Sequence, residues 1–204
     1  MEPTTFILWR TLRLIAVLSY TGISKFKDRI IKTGLLSIGF LIISNVSFAD
    51  CKVELEERLK DDLNLTYQQF DQTYDAGFRL LEKSGCHAEA AILIKRFISH
   101  NNSKESSLTW HLAQMEGLAG DYQQAVFHAK KVLDPDEEVS GSKMYWNDFV
   151  LGNIAFWNKD KAKLKQHIAN IEKGQSFKPN QINLNYLNQL LKHFDLSYKQ
   201  ALSM

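Results

Sequence analysis

Gly120-Asp121-Tyr122-Gln123-Gln124-Ala125 lies at a tight turn between two amphipathic segments, and weaker versions of this turn recur along the chain. They are Gly85-Cys86-His87-Ala88-Glu89-Ala90, Lys159-Asp160-Lys161-Ala162-Lys163-Leu164 and Phe194-Asp195-Leu196-Ser197-Tyr198-Lys199. The steps from Cys86 to Asp121, Asp160 and Asp195 are 35, 39 and 35 residues. A self-similar turn at this period means one helical hairpin per repeat. A single amphipathic hairpin cannot bury both apolar flanks alone, so the hairpins must stack. The pattern predicts an all-α chain.

One helix length upstream of two of these turns stand Trp110-His111-Leu112-Ala113 and Phe149-Val150-Leu151-Gly152. With Ala90 and Ala125 just after their turns, the arrangement resembles the tetratricopeptide repeat, whose period is ~34 residues. In that family a small residue faces the partner helix in the first arm, a role Ala113 and Gly152 fill here, and an Ala follows the turn in the second. The third hairpin departs from this with Leu164, and the longest step carries an insertion from Asp134 to Ser142. The resemblance spans roughly residues 70 to 201 and is strongest from Ser107 to Pro135. It implies a short right-handed stack of antiparallel helix hairpins, a divergent α-solenoid.

The N-terminus reads as a targeting segment. Lys25, Lys27, Arg29 and Lys32 precede an apolar run from Thr33 to Ile43, and Ser47-Phe48-Ala49 then supplies a small-x-small site before Asp50. Cleavage is expected after Ala49, leaving residues 50–204 as one repeat domain and 1–49 as the signal with an over-long extension. The alternative is an uncleaved anchor, although the apolar run falls short of the ~20 residues of a spanning helix. A lipid-attached Cys51 is disfavoured by Asp50 immediately before it. The second apolar stretch, from Phe6 to Ile23, is expected to reflect a start site placed too far upstream. Export points to the periplasm or the exterior.

Removal of residues 1–49 takes away six basic and two acidic residues, so 19 Lys+Arg face 21 Asp+Glu and the net charge moves from +2 to −2. A basic nucleic-acid face is therefore not supported, and the Lys scatter from Lys159 to Lys173 reads as a solvated helix face. Cys51 and Cys86 are the only cysteines. In an oxidising compartment an even pair reads as a disulfide tying the N-terminal segment to the first turn; two independent thiols are the alternative. His87 beside Cys86 lacks the companions a metal site needs.

The arms follow from apolar periodicity. Thr66 with Gln69 forms a capping box opening an arm through Tyr67, Phe70, Tyr74, Phe78 and Leu81, which Gly85 ends. The return arm carries Ala90, Leu93, Ile94, Phe97 and Ile98 up to the Asn101-Asn102 loop. Ser106 or Ser107 is expected to cap the next arm, with Leu108, Leu112, Met115 and Leu118 inward, Gly120 closing it and Asp121 capping the return. Pro135 stops that return helix. The third pair is expected to begin at Ser142 and end at Gly174, with a last helix from Asn183 to His193 and a terminal stub after Asp195. Lys52 to Leu63 is read as an N-terminal capping helix.

The resemblance further implies that first arms line a concave groove holding a partner's peptide. In register, groove positions are Asp75, Arg79 and Glu82, then Trp110, Gln114 and Gly117, then Trp146, Asn153 and Trp157. Arg79, Trp110, Gln114, Trp146, Asn153 and Trp157 are the expected partner-binding set, since amides pair with peptide backbone and Trp supplies rigid anchors. The alternative is that the tryptophans fill an irregular core. His87, His100, His111, His128, His167 and His193 lie singly, and no His-Glu-x-x-His, phosphate loop or Gly-x-Ser-x-Gly turn occurs. The reading is a non-catalytic adaptor for a protein or peptide, without cofactor, metal or nucleic acid. Its alternatives are a scaffold subunit assembling through its convex side or a terminal face around Tyr186, Leu190 and Phe194, or an enzyme with a spatially assembled site.

Overall fold

The computed structural model describes residues 50–204, so the expected signal segment and its cleavage point at Ala49 lie outside the described residues. These residues fold entirely into helices and connecting turns. Helix α1 covers 50–61 and runs into a 3-10 turn at Asp62–Asn64. Then follow α2 (Tyr67–Asp71), α3 (Arg79–Lys83), α4 (His87–Asn101), α5 (Ser106–Ala119) and α6 (Tyr122–Ala129). After a 3-10 turn at Lys130–Val132 come α7 (Trp146–Trp157), α8 (Lys161–Glu172), α9 (Lys178–Lys192) and α10 (Tyr198–Leu202).

From α3 to α10 each helix packs on its neighbours in sequence, α9 also reaches α7, and α10 turns back onto α5. Sequence-local packing of this kind is what the recurring turn requires. At Gly120 φ is +89°, and Asp121 then accepts the Gln124 N–H to start α6. At the equivalent place the left-handed Lys159 (φ +56°) precedes Asp160, which accepts the Lys163 N–H. A residue with a Cβ is tolerated there because the Lys159 ammonium donates to the Phe194 and Leu196 carbonyls, so it serves a contact and not a solvated face.

Two apolar clusters share α5. Leu108, Leu112 and Met115 face an N-terminal cluster with Phe70, Phe78, Leu93, Ile94 and Phe97, while Trp110 and Ala113 face a C-terminal one built on α6 to α10. Gly152 leaves room for a side chain of α9: a Cβ there would meet Leu187 at 2.5 Å. Cys51 and Cys86 are joined by a disulfide, with Cα atoms 5.5 Å apart, which ties α1 to the turn before α4. Leu55 seals the N-terminal cluster from α1, whereas Val53 is exposed. Among the described residues no helix is long and apolar enough to cross a membrane.

Five expectations are corrected. The arm from Thr66 to Leu81 is not one helix: the Thr66 capping box forms, but the chain leaves the helix after Asp71 and resumes at Arg79. Gly77 (φ +55°) brings the backbone against Phe70, where a Cβ would lie 2.1 Å from the carbonyl oxygen, and this turn lets Phe70 and Phe78 both enter the core. Tyr74, expected inward, is 75% exposed. Ser142 does not start the third pair, which begins at Trp146, and the last long helix begins at Lys178, five residues before the expected Asn183, with Pro in its first turn. The supposed exposed end face is closed, since Leu190 and Phe194 are buried under the C-terminal turn.

Candidate functional site

Side chains of α5 and α7 meet, Trp110 lying against Trp146, Phe149 and Trp157, and the six expected partner residues divide between two places. Arg79, Trp110 and Trp146 converge on an open cleft of about 940 Å³ between the α2–α3 turn, the start of α5 and the chain before α7. Gln114, Asn153 and Trp157 lie one turn or more further along and are covered by the chain's own C-terminus. Of the remaining groove positions, Asp75 pairs with Lys83, Glu82 with Arg79, and Gly117 lies against Trp157.

The cleft has an aromatic wall. Trp110 packs edge-on to Trp146 and to Phe149, both with centroids 5.4 Å apart, and is almost fully buried. Trp146 is half-buried and fixed by its indole N–H donating to the Val132 carbonyl at 2.7 Å. The insertion after Pro135 holds this side: Asn147 donates to the Asp134 carbonyl and receives the Asp134 N–H. Tyr74 projects opposite, with the Lys83 ammonium 3.5 Å from its ring centre.

The cleft also has a polar wall. Asp71 is buried, and its Oδ1 lies 2.6 Å from His111 Nδ1. His111 Nε2 lies 3.3 Å from an Arg79 terminal nitrogen. A guanidinium has only donors, so Nε2 must accept and the imidazole proton sits on Nδ1, donating to Asp71. Burial alone pushes the Asp71 carboxyl up; hydrogen bonds from His111 and Gln72 and the nearby Arg79 charge outweigh it and hold the group below the usual carboxylate range. Arg79 is fixed further by Glu82 at 2.9 Å and by the Phe78 ring 4.4 Å below it. A planar cation held from three sides is preorganised for a carboxylate or carbonyl of a bound chain. Ser107, also in the cleft, bonds to Tyr67 at 2.8 Å and not to the histidine.

The second place is a seat occupied by α10. Tyr198 is wholly buried, donates its hydroxyl proton to Asn153 Oδ1 at 2.7 Å and lies 2.6 Å from the Tyr186 hydroxyl. Because its one proton is committed to Asn153, Tyr198 accepts from Tyr186. Its own backbone N–H donates to the Tyr122 hydroxyl at 2.9 Å. Burial pushes the Tyr186 phenol up to about 12, against the pull of Tyr198 and Gln114, and pushes Tyr198 well above the usual range. As groove positions, Asn153 and Trp157 are corrected: both are core in this chain, because residues 195–204 fold over them. The sequence reading also missed Asp71, Tyr74, His111 and Lys131 in the cleft and Tyr122, Tyr186 and Tyr198 at the seat.

Histidine–carboxylate pairs recur. His128 and His167 hold the same place after their turns and bond Glu116 and Asp148 of the preceding helix at 2.7 and 2.8 Å. They staple the two arms of a hairpin together. Among the described residues, the one grouping with the make-up of a metal site is Cys51, Cys86 and Glu89, whose sulfurs are spent in the disulfide. No family profile, no curated protein and no solved structure matches this chain.

Proposed function

We propose that this chain is an exported, non-catalytic adaptor of the tetratricopeptide-like kind, whose open cleft binds an extended segment of another protein. The observation that carries the reading is convergence. Arg79, Trp110 and Trp146 come from three separate helices, belong to the groove set that the tetratricopeptide resemblance implies, and line one cleft together with the exposed Tyr74, Trp110 with only a small exposed edge. The half-buried Trp146 and the exposed Tyr74 beside a fixed guanidinium suit a peptide that presents an apolar side chain next to a carboxylate or carbonyl. The disulfide supports an oxidising compartment, with the periplasm as the expected place. A net charge of −2 after loss of residues 1–49 argues against nucleic acid as the partner.

The test is site-specific photo-crosslinking of the full-length chain in cells, with the probe at Tyr74 and, as a control, at the exposed Ile182 of α9. One defined protein adduct is expected from the cleft position, lost when Arg79→Ala or Trp146→Ala is added. An adduct that survives both substitutions, or that forms equally from Ile182, removes the cleft from the account.

A further inference from the structure

The seat described above already contains a ligand, and the ligand belongs to the same chain. Helix α10 is only five residues long, yet three other helices each give it a hydrogen-bonding side chain. Tyr122 of α6 takes its first N–H, Asn153 of α7 takes the Tyr198 proton, and Tyr186 of α9 donates to the same phenol. The first N–H of a helix has no partner within the helix, so the Tyr122 contact recognises a helix start and not merely a tyrosine. Ala201, three residues after Tyr198, is fully buried, so the seat admits only a small side chain there. Around the phenol stand Trp157 and Phe156, with centroids 5.2 and 5.7 Å away.

These polar groups make the seat selective. An apolar occupant in place of α10 would bury the Asn153 carbonyl and the Tyr122 and Tyr186 hydroxyls without partners, which is unfavourable. An apolar helix therefore cannot replace α10 without that penalty. The fit is also incomplete: the Trp157 indole N–H is buried with no acceptor among the described residues, so the resident helix leaves one donor of its own seat unserved. Helix α10 also reaches towards the first hairpin, where burial and then the Lys199 charge hold His87 below the usual imidazole range.

We propose that Tyr122, Asn153, Trp157 and Tyr186 form a receptor site for a helix that begins with tyrosine and carries a small residue three positions later. Helix α10 is its resident occupant, and a partner helix of the same pattern displaces it. This inference stands apart from the open cleft and does not need it. A foreign helix that also offers an acceptor to Trp157 has an advantage over α10. The resident helix competes at the effective concentration of a tethered ligand, of order mM for a short linker, so it acts as a filter against weak binders.

The test uses the full-length chain carrying Tyr198→Ala and a labelled peptide spanning residues 194–204, followed by fluorescence anisotropy. Saturable binding is expected, at least tenfold tighter than to the unsubstituted chain, and at least tenfold weaker when the peptide itself carries Tyr198→Phe. A variant that keeps its helical circular dichroism but binds no peptide overturns the proposal, as does equal affinity for the Phe peptide. Hydrogen exchange on the unsubstituted chain decides the matter should Tyr198→Ala fail to fold. Amides of α10 are expected to exchange at least tenfold faster than those of α5 and α7. Equal protection would mean that α10 departs only when the whole domain unfolds, and the seat is then ordinary core.

Discussion

The open cleft and the α10 seat both draw side chains from α5 and α7, yet one is open and the other is covered by the chain itself. Trp110 and Gln114 are one helical turn apart on α5, and Trp146 and Asn153 two turns apart on α7. What differs is the chain that returns to them. At the seat, residues 195–204 fold back and bring a phenol that satisfies the amide of Asn153. At the cleft, the insertion after Pro135 is tied sideways to Asn147 and leaves the aromatic wall uncovered. Neighbouring positions on α5 and α7 are thus covered or left open according to whether a later segment supplies matching hydrogen bonds.

That contrast breaks most readily at Tyr198. Truncating a wholly buried aromatic removes ~3–5 kcal/mol, and Asn153 and Tyr186 are orphaned as well, so Tyr198→Ala is expected to give the largest loss in a urea titration. Should the loss fall under ~1 kcal/mol, the seat is not a packed site. Reducing the Cys51–Cys86 bond, or replacing both cysteines by Ser, is expected to cost about 2–4 kcal/mol. The effect should also be uneven. The α2–α3 turn that floors the cleft belongs to the cluster that α1 seals, so hydrogen exchange should rise there before it rises around α10.

Acid is expected to act on the cleft wall next. The folded Asp71 carboxyl lies below its ordinary value of 3.8, so its ionised form is favoured by the native state. Its contribution is therefore present above about pH 4 and lost as the pH falls through the depressed folded value. Asp148, depressed in the same direction against the push of its own burial by His167 and Asn170, adds to the same window. Asp71→Asn should cost about 1–3 kcal/mol at pH 7, from the weakened contact to His111. Urea midpoints of this variant should also fall less steeply below pH 4 than those of the unsubstituted chain. Identical slopes would remove Asp71 from the account.

The all-α character, the Gly120 and Asp121 turn, the Asp160 cap and most inward stripes were legible because each is local: a periodicity of 3.6, a positive φ, an acceptor three residues before a free N–H. The cysteine pairing was legible as one of two readings, and the structure selects the bond. What escaped was non-local. The partnership of Asp71 with His111 spans 40 positions, and that of Asn153 with Tyr198 spans 45, with no period to announce either. The break after Asp71 had a visible cause in Gly77, but the apolar stripe through Tyr74 and Phe78 outweighed one glycine in the reading. The Ser197 and Gln200 capping box of α10 was written in the chain too; its destination on α5 was not.

Tyr74 gives the smallest expected effect on stability and the sharpest contrast with Tyr198. Three-quarters exposed and held by a single cation over one face, it contributes little to the fold, so Tyr74→Ala should shift the unfolding free energy by no more than ~0.5 kcal/mol. Partner capture through the cleft should nevertheless fall, because an exposed aromatic lining the cleft with Trp146 offers contact area to a bound segment. Adduct yield from a photo-probe moved to the exposed Lys131, on the same cleft, is the measurement. A fall of tenfold with stability intact assigns Tyr74 to recognition. Unchanged yield would leave the cleft open for a reason other than binding, and the two places would then differ only in which of them the chain happens to cover.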